Sequence, residues 1–241
     1  MLRYMLDGHP QINCHGEVFK RRGLRRFLKK DNRVIGLTPL YSGFQDEYNR
    51  LTEQEFIAIQ LLSSEDDLIR AVGFKFKTEE YFDPALNHIG NYLKGRTDVR
   101  VVHLKRRDLL SQYISHQIVR KRKGVTVAFS KKDAAKPYKM KISISDLQKF
   151  LVDVTRREAE IEREFIGHNI FECYYEQIVS IHDNSIQAMQ RFLGVTPQLL
   201  EKKTVKLISD HYDIISNKDE VLSCLISSPF EERLSKDYLD T

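Results

Sequence analysis

The sequence predicts an α/β fold, and two observations carry that prediction. Short apolar runs rich in β-branched and aromatic residues recur along the chain, and the longer segments between them place apolar residues at helical spacing. Strands alternating with helices in this way form α/β units, in which crossover helices cover a mostly parallel sheet.

The first strand is RAVGFKF, 70–76, the second DVRVVHL, 98–104, and the third NIFECYYE, 169–176. Between the first two, residues 83–95 put Leu86, Ile89 and Leu93 on one helical face and stop at Gly95. Residues 108–119 carry Leu109, Leu110, Tyr113, Ile114 and Ile118 as a broad apolar stripe, which predicts a helix packed on the sheet. Ser145 and Gln148 form a capping-box pattern ahead of a long helix marked by Leu147, Phe150, Leu151, Val154, Ile161 and Phe165. Two further amphipathic helices are read over 180–192, ending at Gly194, and over 217–226. Residues 20–65, with Gly23, Gly36, Pro39 and Gly43, and residues 122–144 show no sustained period. Long irregular insertions of this kind commonly serve as lids or binding loops.

With 241 residues, 41% hydrophobic and 30% charged, the chain has the size and composition of one globular domain. No apolar run approaches the roughly 20 residues that span a bilayer, and the start, MLRYMLDGHPQINCHG, is too polar for a secretion signal. Cys14, Cys173 and Cys224 are odd in number and far apart, which fits a reducing compartment and a cytoplasmic location. His9, Cys14 and His15 lack the second cluster that would complete a zinc site, so no metal is expected. The net charge of +5 suits a protein that handles an anionic ligand, and the basic runs KRRGLRRFLKK, 20–30, and VRKRKG, 119–124, also read as solvated surface.

The stretch VRVVHLKRRDLLSQYIS, 99–115, is a strand, a basic turn and a helix bearing hydroxyls. A helix N-terminus offers unpaired N–H groups and a positive dipole end, and guanidinium groups arriving there can grip a phosphate. Ser111 and Ser115, four apart, share a helical face from which hydroxyls can donate. The same residues also read as a basic turn followed by a solvated serine face.

An arginine at a strand end followed eight or nine positions later by a helical serine resembles the 3′-phosphate-binding motif of sulfotransferases that use 3′-phosphoadenosine 5′-phosphosulfate (PAPS). Arg107 to Ser115 gives the cytosolic-type spacing, and Arg106 to Ser115 that of some bacterial members. Four other stretches are similar to the bacterial glycan branch, which includes nodulation-factor and trehalose sulfotransferases. MLDGHPQINCHGEVF, 5–19, resembles the segment after the first nucleotide loop, and AVGFKFK, 71–77, resembles the second strand region. YYEQIVSIHDNSIQAMQRFLGV, 174–195, is similar to the late strand and helix, and KLISDHYDIISNKDEVLSCL, 206–225, to the tail. These matches follow the family order over nearly the whole chain.

The resemblance implies a three-layer, P-loop-like sulfotransferase fold with a central mostly parallel sheet, as one domain over 1–241. It implies PAPS as co-substrate, no metal, and transfer of the sulfuryl group to a hydroxyl of a glycan or other small acceptor. Arg106, Arg107 and Ser115 would bind the donor, and Glu17, soon after the His-Pro turn, would be the base if a partly dry pocket raises its pKa. It further implies that Met1 lies inside the helix following the first nucleotide loop, so that the family's first strand and 5′-phosphosulfate loop are absent here. A Golgi-lumenal location follows instead of a cytoplasmic one if an N-terminal anchor precedes the chain. With no Trp in the sequence, adenine stacking falls to Phe or Tyr.

Two other readings remain open. One is a non-catalytic module binding nucleotide or polyanion through Arg106, Arg107 and the basic runs. The other is a nucleic-acid-binding protein, which the charge allows but which lacks a recognition motif, so no specific nucleic-acid partner is expected.

Overall fold

The computed structural model describes residues 2–17, 62, 64, 66–121, 139–179, 184–201, 212–226 and 228–234. The basic run 20–30, Phe19, residues 122–124 and the start of the helix read over 180–192 lie outside them. In chain order the elements are α1 (Leu2–Leu6), β1 (Ile12–Glu17), β2 (Ala71–Lys75), α2 (Thr78–Tyr81), α3 (Asn87–Gly95), β3 (Val101–Lys105), α4 (Leu109–Lys121), α5 (Ile144–Glu164), β4 (Ile170–Tyr174), α6 (Tyr175–Val179), α7 (Ser185–Leu193) and α8 (Lys218–Leu225). The mixed α/β class is what the residues form. The described strands make two pairs, β1 with β2 and β3 with β4. No helix among the described residues is long and apolar enough to cross a membrane.

The chain divides into two compact units. In the first, β1 and β2 are parallel, running in register from Ile12 opposite Ala71, with a shift between His15 and Glu17 that brings Glu17 opposite Lys75. The sequence reading did not assign β1 as a strand, because INCHGE has little apolar character of its own. α1 ends ahead of the His9–Pro10 turn, whose geometry His9 fixes. Its Nδ1 accepts the Gln11 N–H at 3.0 Å, so Nε2 donates to the Thr196 carbonyl at 2.9 Å. An aromatic chain of Phe74, Phe76, Tyr81 and Phe165 runs through this unit, with successive ring centroids 5.6–6.3 Å apart. Gly90 on α3 makes room for it, since a Cβ there would stand 3.1 Å from the Tyr81 ring. α7 stops where the sequence predicts, at Gly194, whose φ of 79° is open to glycine at little cost.

The second unit is built on α4, α5 and α8. Leu109, Leu110, Ile114 and Ile118 of α4 pack with Leu147 and Leu151 of α5 and Val221 and Leu225 of α8, all essentially sealed from solvent. Each such side chain contributes roughly 1.5–3 kcal/mol of burial, so the apolar stripe read from the sequence is what seats α4. The capping box expected at Ser145 and Gln148 does not form. Ser143 occupies the capping position, its Oγ accepting the Asp146 N–H at 3.3 Å, while the Gln148 amide donates to the Cys224 sulfur at 3.3 Å. The helix begins at Ile144, which leaves Ser145 inside its first turn.

Residues 140–143, the end of the stretch read as irregular, are pinned to the core. Met140 bridges to Ile215, and the Asn217 amide brackets Ile142, accepting its N–H at 2.9 Å and donating to its carbonyl at 3.0 Å.

Candidate functional site

β3 delivers Lys105, Arg106 and Arg107 to the start of α4, and Asp108 begins the helix. One Asp108 oxygen accepts the Ser111 N–H at 2.9 Å and the Tyr212 hydroxyl at 3.2 Å; the other accepts the Ser111 hydroxyl at 2.5 Å. Asp108 is therefore the N-cap, the position where an aspartate best satisfies an orphan helix donor. Burial pushes its carboxyl above the usual range and the nearby Glu176 charge adds to that, against the hydrogen bonds from Ser111 and Tyr212.

This capping changes the reading of the serine face, because the Ser111 hydroxyl is committed to Asp108. Ser115 is half-buried, about 9 Å along the axis from the first helical residue at 1.5 Å per residue. It shares α4, and the second unit, with the turn that holds Arg106 and Arg107.

The backbone donors of the turn are also occupied. The Glu176 carboxylate, in the first turn of α6, accepts the N–H of Arg107 at 3.1 Å and of Asp108 at 3.4 Å. Arg233 binds the turn from the carbonyl side, reaching the Arg106 oxygen at 2.6 Å and the Arg107 oxygen at 3.4 Å while pairing with Glu158 at 3.1 Å. The guanidinium groups themselves rest on aromatic faces, Arg106 over Tyr175 at 4.1 Å and Arg107 over Tyr174 at 4.7 Å. Among the described residues neither makes an ion pair with a carboxylate. Their positive charge is thus carried on a tyrosine platform that leaves the N–H edges of each fork available to an anion.

Next to the turn, the Lys105 ammonium bonds Glu162 at 2.9 Å and Glu172 at 2.8 Å with only a tenth of its side chain exposed. Burial alone would lower its pKa, and the two carboxylates outweigh that and raise it. His103 joins the same group: its ligand atom and those of Glu162 and Glu172 lie within 4.8 Å of one another, and its buried Nδ1 has no partner among the described residues. Burial, and then the Lys105 charge, push the imidazole below its usual range. This cluster was invisible in the sequence, where its members are up to 69 positions apart. The one local signal was that His103 and Lys105, two apart on a strand, share a face.

Glu17 lies at the end of β1, in the other unit. Its carboxylate is 3.0 Å from the Lys75 ammonium and 2.9 Å from that of Lys77. Burial pushes its pKa up, but the hydrogen bonds and charges of the two lysines prevail and bring it down to about 2. The raised pKa that would suit a base is therefore not what its surroundings produce.

No protein-family model and no curated protein matches this chain.

Proposed function

We propose that this chain is a PAPS-dependent sulfotransferase domain of P-loop-like architecture, with Arg107, Arg106 and Ser115 meeting the 3′-phosphate of the donor. The observation that carries the reading is the pair of guanidinium groups at the junction of β3 and α4, seated on Tyr174 and Tyr175 and lacking carboxylate partners among the described residues. A phosphate there would receive charge-assisted, bidentate hydrogen bonds. The family order of the motifs supplies the rest: sulfuryl passes in line from PAPS to a hydroxyl of a glycan or other small acceptor. Such a transfer rests on positioning and charge stabilisation and needs no metal in principle.

Glu17 is the base of this reading, and its environment sets a condition. A carboxylate at about 2 is a weak base. It gains strength only when Lys75 or Lys77 turns away.

A second reading, a non-catalytic module that binds nucleotide or polyanion, is favoured by two observations. Glu17 is clamped by two lysines, and Glu176 already fills the N–H groups of the turn.

Calorimetry with adenosine 3′,5′-bisphosphate tests what the two readings share. Arg107→Ala should weaken binding about 10-fold to 100-fold, the worth of one charge-assisted contact, while Glu176→Gln should tighten it by removing a competing negative charge. Unchanged affinity in folded Arg107→Ala protein removes the phosphate site. Labelled PAPS with a panel of acceptors then separates the readings, since turnover selects the enzyme and binding without turnover the module.

A further inference from the structure

At the far end of α4, the second unit holds a cavity of about 540 Å³, within the size range of small-molecule sites. α4 turns Tyr113, His116, Gln117, Arg120 and Lys121 toward it, spaced as i, i+3, i+4, i+7 and i+8, a single helical face beside the core stripe. The facing wall is the segment from Met140 to Ser143 and the first turns of α5, which add Lys141, Asp146, Lys149 and Phe150. This wall is firmly held, because Met140 and Ile142 are buried and tied to Ile215 and Asn217.

Among the described residues of the lining, four cations, Arg120, Lys121, Lys141 and Lys149, meet a single acid, Asp146. Helix stabilisation accounts for only half of them. Arg120 and Lys121 sit in the last turn of α4, where the dipole favours positive charge. Lys141 lies just before the start of α5, where it disfavours a cation, and Lys149 lies past the first turn of that helix, where the dipole gives it no support. Among the described residues, Arg120, Lys141 and Lys149 make no ion pair. Further along α5 the cations behave differently: Arg156 and Arg157 are both paired, with Asp153 and Glu160 at 2.8–2.9 Å.

The cavity also has an aromatic side. The Phe150 ring meets Tyr113 edge-on at 5.3 Å and stacks with His116 at 6.0 Å. Tyr113 is buried and Phe150 partly so, which makes a low apolar wall and not the protruding platform on which nucleobases stack. A sugar ring offers an apolar C–H face to such a wall and hydroxyls to Gln117 and Ser143, and its acidic substituents would meet the cations.

We propose that this cavity binds an acidic saccharide, one bearing carboxylate or sulfate groups. Its role as acceptor site rests on the sulfotransferase reading above; the binding itself does not.

The experiment is calorimetry of the full chain, without donor, against a heparin-derived tetrasaccharide, neutral maltotetraose and an eight-residue oligothymidylate, all at 0.1 M salt. The acidic sugar should bind at least 10-fold more tightly than the neutral one. The Lys141→Ala/Lys149→Ala protein should lose at least 10-fold of that affinity, and Arg156→Ala, at a cation paired with Asp153 and Glu160, none. Both lysines are exposed, so folding should be retained, and circular dichroism verifies this; Arg120→Ala provides a second, independent variant. Equal binding of maltotetraose, or undiminished heparin binding in both cavity variants, overturns the proposal. Oligothymidylate bound as tightly as the tetrasaccharide and weakened by the same variants overturns it in favour of nucleic acid. Loss of adenosine 3′,5′-bisphosphate binding in Arg107→Ala, measured separately, reports on the donor site alone.

Discussion

The two ends of α4 handle charge in different ways. At its start, the acids of the protein occupy the backbone donors, while the Arg106 and Arg107 guanidinium groups rest on tyrosine rings: Asp108 caps Ser111, and Glu176 takes the N–H groups of Arg107 and Asp108. Nearby, Arg233 pairs with Glu158, and Lys105 with Glu162 and Glu172. At its end, Arg120 stands with Lys141 and Lys149 around a cavity with one carboxylate among the described residues of its lining. The difference teaches that an excess of +5 is not spread evenly. Where a charge is compensated within the fold, its removal should cost stability; where it is not, removal should cost binding of an anion and leave stability alone.

The largest expected effect is at the compensated end. Asp108→Ala strips the cap from α4 and leaves the Ser111 N–H and hydroxyl without their acceptor. Loss of the cap costs about 0.5–2 kcal/mol, and the unsatisfied hydroxyl adds on the order of 1 kcal/mol, so roughly 1.5–3 kcal/mol should be lost. Urea unfolding measures it. Asp108→Asn keeps an acceptor for the Ser111 N–H and should lose less than half as much. An Asp108→Ala protein as stable as the wild type would mean that the start of α4 is no more self-satisfied than its end, and the comparison would fail.

Much of this was legible in the sequence. The stripe of Leu109, Leu110, Ile114 and Ile118 seats α4 because helical spacing depends only on neighbours in the chain, and Gly194 ends α7 because its demand is local backbone geometry. The three strands read from apolar runs are present. β1 was not read, since its residues become a strand by pairing with β2, nearly 60 positions away. The capping site was misread by two residues because Ser143 and Ser145 offer the same chemistry, and the burial of Met140 and Ile142 decides between them. At the site, the arginines and serines are visible in the sequence, but their neighbours are not. Nothing within ten positions of Arg107 announces Tyr174, Glu176 or Arg233, and nothing near Glu17 announces Lys75 and Lys77.

A smaller effect, in the other unit, measures what compensation contributes when it is half-exposed. Glu17 has its pKa pulled down from 4.5 to about 2, so its ion pairs stabilise the fold fully above pH 4.5 and are lost as pH falls through about 2. Glu17→Gln should therefore lose no more than about 1 kcal/mol at pH 7, the range of exposed ion pairs, and the gap from wild type should close between pH 4.5 and 2. Urea midpoints across that interval are the measurement. A gap that persists at pH 2 would mean that the side chain acts through packing, and that the two lysines are not what holds it.

The smallest effect on stability belongs to the cavity. Lys141→Gln and Lys149→Gln remove cations that have no ion pair among the described residues, and Lys141 also stands just before the start of α5, the helix end that disfavours positive charge. Each should change stability by less than about 0.5 kcal/mol, and the sign should be neutral or stabilising, because neighbouring cations no longer repel one another. The salt response provides the finer measurement. Added sodium chloride screens the repulsion among exposed cations, so it should raise the wild-type urea midpoint more than that of the double variant. Arg156→Gln is the control on the same helix: it breaks pairs to Asp153 and Glu160, and should lower stability slightly in low salt and less in high salt. If Lys149→Gln instead destabilises by more than Arg156→Gln, the cavity cations are part of the architecture. The distinction between the two ends of α4 would then lie in which partners the charges have, and not in whether they have any.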